Sequence, residues 1–364
     1  MSTDHTRILV TADAVGGVWQ YTLDLAAALQ PIGVEAVVAL LGPVPRDAQR
    51  ADAAGLTLIE TDLPLDWLSD GPETVLAAGE AIARLAAEQR VDLVHLNMPS
   101  LAARARFDVP VVAVAHGCVG TWWQAAKGTQ PDAGYAWQDA LVRAGLLAAD
   151  AVVAPSASYA ANVARHHALP DTPLVVHNGR APLAAAPTQS ADHIFTAGRL
   201  WDAVKNTSLL DRVAARLPVP FRAAGSIEGP HGERVNTAHL RLLGSLDSTG
   251  IAHELAHRPI FVSAAGFEPF GLAVLEAAAA GCPLVLSGID TFRELWTGAA
   301  LFVESEDENG YLAAIARVRS DPALRAHLSE AALLRAQRYT PGAMAEQMAA
   351  IYTRLMAIPR QAAA

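Results

Sequence analysis

Gly266-Phe-Glu-Pro-Phe-Gly-Leu-Ala-Val-Leu-Glu276 follows the apolar run Pro259-Ile-Phe-Val-Ser263 and leads into Ala277-Ala-Ala-Ala-Gly281. The order is strand, glycine-bearing loop, helix. From Gly271 to Ala280 every residue except Glu276 is apolar or small, and a helix that is apolar on all sides is a buried one. Glu276 is therefore expected to be buried and to need a partner. Glu268 stands ahead of the first turn, with Pro269 expected at the helix entry. Free backbone N–H groups and the helix dipole make that entry a seat for an anion. At helical spacing the two carboxylates are offset by about 12 Å along the axis and about 80° around it. They are not a glycosidase pair, whose carboxyls lie within about 5 to 9.5 Å. An extended ligand with hydroxyls at both ends and phosphates between fits this spacing, as a nucleotide sugar does. An ordinary buried strand–helix unit whose Glu276 bonds to backbone fits the stretch as well.

The 364 residues suffice for two domains, each with its own core. Hydrophobic residues are 52% and charged residues 18%, which excludes disorder and favours a soluble globular class. No signal-peptide core opens the chain and no run reaches the about 18 apolar residues of a membrane span, so a cytoplasmic location is expected. The two cysteines, Cys118 and Cys282, lie in apolar runs, and neither a disulfide framework nor a cysteine metal site is expected. Net charge is −10. Residues 1–180 hold 11 basic against 19 acidic groups, which argues against nucleic acid and against docking on an anionic membrane. Only Lys127 and Lys205 are lysines among 27 basic residues, so these two positions are candidates for a required ammonium.

Apolar runs alternate with helical stretches from Arg7 to Asn178, and again from His193 to Val303. Continuous β-branched runs between helices indicate parallel sheets covered on both faces. The expected fold is α/β: two Rossmann-like, doubly wound domains facing across a cleft, residues 1–180 on the acceptor side and 181–340 on the donor side. The aperiodic stretch from Gly179 to Asp192 reads as the linker. Residues 341–364 are expected to form a helix that packs back towards the first domain, with Met344, Met348, Ile351, Tyr352 and Leu355 at helical spacing.

Arg199 and Lys205 follow the first strand of the second domain. Together they fit a diphosphate, arginine as a planar fork and lysine as a point charge; the alternative is a pair of solvated surface charges. His116 ends an apolar strand before Gly117. It either donates to, or polarises, a group on a bound sugar, or it bonds to a loop carbonyl. Gly16 and Gly17 let backbone approach a ligand closely, though they do not form the dinucleotide fingerprint. Trp122 and Trp123, in the glycine-bracketed segment that ends with Lys127 and Gly128, offer either a stacking face for an acceptor or a hydrophobic plug. Trp19 and Tyr21 read as core. His166-His167 has no carboxylate or cysteine at metal spacing in the sequence and receives no role, and no Asp-X-Asp metal motif occurs.

These features in this order resemble a retaining glycosyltransferase of family 4 (group 1) with the GT-B architecture. The resemblance is carried by the glycine pair, Ala115-His-Gly117, Val153-Ala-Pro-Ser-Ala157, Val176-His-Asn-Gly179, Gly198-Arg-Leu200 with Lys205-Asn206, Leu243-Gly244, and Glu268-Pro-Phe-Gly-Leu-Ala-Val-Leu-Glu276. It implies that Arg199, Lys205 and the amides of Phe270, Gly271 and Leu272 hold the donor diphosphate. Glu276 would take the ribose hydroxyls, Glu268 the hydroxyls of the transferred sugar, and the segment at Leu246 the base. His116 would sit by the donor sugar, and Gly16-Gly17 near the phosphates or acceptor. The implied reaction moves a sugar, from a UDP-sugar by preference, to a hydroxyl of a soluble small-molecule or glycan acceptor, with no cofactor and no essential metal. A sugar-nucleotide epimerase and a non-catalytic nucleotide-sugar-binding protein are the alternatives on the same fold.

Overall fold

The computed structural model describes residues 5–183 and 192–359. Two compact units emerge, Met1–Gly179 with Pro341–Ala364, and Arg180–Thr340. The stretch read as a linker falls largely on residues 184–191, outside the described residues.

The first unit holds strands β1 (Thr6–Asp13), β2 (Val34–Leu41), β3 (Thr57–Glu60), β4 (Leu93–Leu96), β5 (Val111–Val114), β6 (Ala151–Ala154) and β7 (Leu174–Val175). They form one sheet in the order β3-β2-β1-β4-β5-β6-β7, with every pairing parallel. Strand alternation assigns each side chain to one of two cores. Ile8 and Val10 face a cluster that includes Leu25, Met344 and Met348, whereas Leu9 faces one with Ala78, Ile82 and Leu101. Both faces are covered, which is why these strands read as unbroken apolar runs. Helix Pro341–Met356 belongs to this unit and packs on helix Gly17–Leu29 through Met344, Met348 and Tyr352.

The second unit holds β8 (Ile194–Ala197), β9 (Phe221–Ala224), β10 (Arg241–Leu242), β11 (Ile260–Ser263), β12 (Leu284–Ser287) and β13 (Ala300–Val303). Their order is β10-β9-β8-β11-β12-β13, again parallel throughout. Phe195 and Phe261 face one core and Ile194, Ile260 and Val262 the other.

In each sheet the strand order reverses direction once, between β1 and β4 in the first and between β8 and β11 in the second. At such a point the connections leave to opposite faces, and the crevice at the carboxyl ends of the two strands is where open α/β sheets hold ligands. Asn97 directly follows β4, Arg199 stands two residues beyond β8, and Glu268 five beyond β11.

Candidate active site

In the second unit the loop after β8 begins at Gly198, whose φ of +154° favours glycine. Asp202 then caps the single turn Ala203–Lys205 by accepting from the Val204 amide. Asn206 adopts a left-handed conformation (φ +55°), which ends that turn and starts helix Thr207–Ala215. The loop after β11 is tied to the first loop by Gly266 N–H, which donates to Val204 O at 2.8 Å. Glu268 thereby reaches Lys205, and the two form an ion pair with each side chain about one-fifth exposed. A small cavity lies here, lined among others by Thr196, Lys205, Thr207, Ser263, Glu268 and Gly271.

Helix Leu272–Ala279 starts three residues later than the sequence suggests, so Pro269 belongs to the loop rather than to the first turn. The cause is Gly271, which caps the helix at φ +93°; a Cβ there would stand 3.0 Å from the Phe292 ring. The amides of Leu272 and Ala273 have no acceptor a turn earlier and face the loop as an anion seat. Glu268 therefore lies off the helix, and the axial offset derived for a helical spacing does not describe it. Phe270 is core, its ring edge-on to Tyr339 at 5.6 Å, so only its backbone can meet a ligand.

Arg199 donates to Asp202 at 2.9 Å and is half exposed. Glu276 is paired by Arg180, whose Nε lies 2.8 Å from its carboxylate. Burial raises the Glu276 carboxyl above its ordinary value, and the Arg180 charge and hydrogen bond work against that rise. Arg180 was absent from the sequence-based site, although it directly follows the Val176-His-Asn-Gly179 motif. Leu246 is half-buried against the core cluster that includes Phe270 and Leu255. The polar stretch from Ser245 to His257 contains helix Ser248–Ala256, capped by Asp247 accepting from Gly250 N–H at 2.7 Å.

In the first unit Gly17 opens helix Gly17–Leu29 and Gly16 caps it in an extended conformation that any residue adopts. The pair is thus not demanded by the backbone angle of Gly16, and the bare helix start is what it offers a ligand. His116 closes β5 and lies beside Asn97, which closes β4; Nε2 of His116 is 2.8 Å from Asn97 Oδ1. The amide orientation is fixed because Asn97 Nδ2 donates to the Thr11 carbonyl (2.6 Å) and to Thr22 Oγ1 (3.0 Å). Its oxygen then accepts from both His116 and His95, the latter at 3.0 Å. His95 Nδ1 in turn accepts from the Tyr352 hydroxyl at 2.7 Å. Burial pushes His95 down to about 4. Burial and the neighbouring His95 push His116 down to about 3.

Both imidazoles are neutral near pH 7, and the His116 proton is committed at Nε2. The remaining nitrogen, Nδ1, can accept a hydrogen bond but not donate one. The expectation that His116 donates to a bound sugar is corrected on this ground, and the expectation of a loop-carbonyl partner is replaced by the Asn97 amide. Asn97 and Thr22 were not singled out from sequence, and Tyr352 was named only as a packing residue of the last helix. Asn97 was legible in principle, as a polar residue closing an apolar strand just as His116 does.

Trp122, Trp123 and Lys127 lie on helix Val119–Lys127, which Gly128 ends at φ +69°. Trp123 is the plug: it is buried, donates to Thr129 Oγ1 at 3.2 Å, and packs on Tyr135 at 5.1 Å between ring centroids. The Lys127 ammonium sits 3.5 Å over its ring. Trp122 is half-buried with its ring edge towards Trp123. Trp19 and Tyr21 are core. The reading of His166-His167 is corrected: folding brings Asp139 to 2.9 Å from His166 and Cys118 to 3.4 Å from His167. These residues come from three helices, which is why spacing in sequence hid them.

Two doubly wound parallel units with a switch point in each sheet are the GT-B fold. Residues 15–181 match the description Glycosyltransferase Family 4, and residues 230–335 match Glycosyl transferases group 1. The glycogen synthase of Mycobacterium tuberculosis (strain ATCC 25618 / H37Rv) is 28% identical over 296 residues, 73% of this chain and 70% of that one. Among solved structures, sucrose-phosphate synthase from Thermosynechococcus elongatus superposes with a TM-score of 0.77 at 20% identity, covering 97% of this chain and 99% of that one. Anabaena Alr3699/HepE in complex with UDP-glucose gives 0.75 at 18%, covering 96% and 100%. The chain belongs to the family 4, group 1 glycosyltransferases. Among the described residues no helix is long and apolar enough to cross a membrane.

Proposed function

We propose that the protein moves a sugar from a nucleotide-diphosphate sugar, UDP-sugars favoured, to a hydroxyl of a soluble acceptor, with retention of anomeric configuration and without an essential catalytic metal. The observation that carries this reading is the meeting of Lys205 and Glu268 at the β8/β11 switch point, beside the amide seat capped by Gly271. A diphosphate on the Leu272 and Ala273 amides takes Lys205 as its counter-ion and releases Glu268 to the hydroxyls of the transferred sugar. Arg199, on the same loop, adds a second cation. Together they stabilise the charge that grows on the departing diphosphate, a task worth about 2.7 to 4 kcal/mol per well-placed donor. Glu276, held by Arg180, takes the ribose hydroxyls, and Leu246 lies by the base. His116 accepts from a sugar hydroxyl through Nδ1, and Trp122 contributes to the acceptor face with Lys127.

The UDP preference draws support from the Anabaena structure solved with UDP-glucose, and the soluble acceptor from the acidic first half of the chain. The test is to incubate the protein with UDP-, GDP-, ADP- and dTDP-sugars and a panel of sugar and polyol acceptors, then assign the product anomer by NMR. Expected is an acceptor-dependent product with the donor's anomeric configuration, formed equally with and without added magnesium or manganese. An inverted product, or strict dependence on added metal, contradicts the mechanism. Return of the donor as an isomer without acceptor selects the epimerase instead. Pelleting of most of the protein with liposomes at physiological salt overturns the soluble acceptor.

A further inference from the structure

Cys118, Asp139, His166 and His167 take no part in the donor site, yet they converge inside the first unit. Cys118 caps helix Val119–Lys127, Asp139 lies in the first turn of helix Ala136–Ala148, and the two histidines end helix Ala157–His166. Cys118 Sγ, one ring nitrogen of His167 and one carboxylate oxygen of Asp139 all lie within 4.8 Å of one another. The sulfur is 3.4 Å from His167 Nε2, and His167 Nδ1 is 3.9 Å from Asp139 Oδ1. Bonds of about 2.0 to 2.3 Å in tetrahedral zinc put neighbouring ligand atoms about 3.3 to 3.8 Å apart; because the two short distances fall on different ring nitrogens of His167, the side chains must draw inward from a set spread over up to 4.8 Å to share one ion.

Three further observations point to a ligand here. His167 is only 1% exposed, and its Nδ1 is buried without a hydrogen-bond partner, an arrangement that costs stability unless something fills it. Gly120 lies against the cluster: a Cβ there would fall 1.9 Å from Asp139 Oδ1 and 2.2 Å from His166 Nε2. Any larger residue would push the carboxylate and imidazole apart. Finally, outer hydrogen bonds of the kind that orient metal ligands are in place. His166 Nε2 donates to Asp139 (2.9 Å), Thr121 N–H to the Cys118 sulfur (3.4 Å), and Arg143 Nε to the His167 carbonyl (2.8 Å).

We propose that Cys118, Asp139 and His167 bind one divalent cation of the zinc class, which clamps the ends of three helices and anchors the loop that carries His116. A mixed sulfur, nitrogen and oxygen set selects zinc-like ions over magnesium or calcium. Three protein ligands leave a fourth position for water. Thiolate and carboxylate together balance the dication. The Cys118 thiol gives up its proton to solvent as the metal binds. The site is structural and is built wholly from residues of the first unit.

The test uses the full chain without a polyhistidine tag, stripped with a chelator and reloaded with zinc or cobalt(II). Expected are one equivalent of zinc retained through gel filtration, a thiolate-to-cobalt charge-transfer band in the near ultraviolet, and slowed reaction of Cys118 with a thiol reagent. Cys118→Ser should abolish the band, and Asp139→Asn and His167→Gln should each weaken zinc binding at least tenfold. Cys282→Ser, in the second unit, should leave the band unchanged. Two results overturn the proposal: failure of the stripped, folded protein to take up an equivalent of zinc, or uptake that Cys118→Ser and Asp139→Asn leave intact. None of these readouts depends on transferase activity, so they stand or fall apart from the proposed reaction.

Discussion

The two switch points solve different electrostatic problems with the same strand order. At β8/β11 the polar groups are ions held in pairs: Lys205 with Glu268, Arg199 with Asp202, Arg180 with Glu276. At β1/β4 they form a neutral network of Tyr352, His95, Asn97 and His116, fully buried at His95. In the proposed reaction the paired ions exchange partners with a diphosphate. A neutral network fixes tautomers and presents lone pairs to hydroxyls without attracting a second charge. The fold supplies two crevices, and side-chain chemistry divides the work between them.

The sharpest way to break this comparison is to remove the exchangeable cation. Lys205→Ala is expected to lower kcat by about 10²- to 10³-fold while the thermal midpoint hardly moves, because the pair is partly exposed and worth about 1 kcal/mol at most. Near-normal turnover in steady-state assays would take Lys205 out of the mechanism.

Arg180→Met should act in the opposite way. It leaves the Glu276 carboxylate without its cation in a largely buried setting, a loss of about 3 to 5 kcal/mol in buried pairs generally. Urea unfolding of the second unit should show it, and Glu276→Gln in the same chain should recover much of the loss. Additive losses in that double-mutant cycle would mean the two residues are not coupled.

In the first unit, Asn97→Ala strips the acceptor from two imidazole N–H groups, at about 1 to 3 kcal/mol for each group left buried and unpaired. We expect a lowered thermal midpoint and about a tenfold fall in kcat as His116 loses its fixed tautomer, a magnitude typical of the low end of acid–base positioning. Unchanged kinetics in a folded variant would reduce the network to a packing role.

A further effect is read by pH. His95 and His116 sit at about 4 and 3 against an ordinary 6.5. Between those values the unfolded chain binds protons that the folded chain does not, so their stabilisation is present above about pH 6.5 and is lost as pH falls towards 4 and 3. His193 in the second unit follows the same direction. Glu276 runs the other way: its raised carboxyl value makes its burial less costly as pH falls. The thermal midpoint should drop by about 5 °C or more from pH 7 to pH 4, and less in His116→Gln. A midpoint flat across that range would contradict the buried neutral network.

The fold was legible because both sheets are covered on two faces, so each strand reads as an apolar run and each crossover as a helix. The meeting of Lys205 and Glu268 was legible because both groups are local to their strands: Lys205 lies eight residues beyond β8 and Glu268 five beyond β11. Helix Val119–Lys127 is hard to read in the sequence because its cap is Cys118 rather than Ser, Thr, Asp or Asn. Helix Ser248–Ala256 was obscured by its polar composition, although Asp247 before Gly250 was the capping signal. Partnerships that cross long stretches of chain were not legible at all. Tyr352 with His95, Arg180 with Glu276, and Cys118 with Asp139 and His167 exist only once the sheet order brings them together.

The most direct measurement is a thermal-shift titration of wild type and Lys205→Ala with UDP-, GDP-, ADP- and dTDP-sugars. The account predicts that one nucleotide family stabilises the wild type, by about 2.7 kcal/mol at a hundred times its Kd, and that Lys205→Ala loses most of that shift. Folded wild-type protein that responds to none of them, or a shift that survives the loss of Lys205, would contradict the donor site at β8/β11.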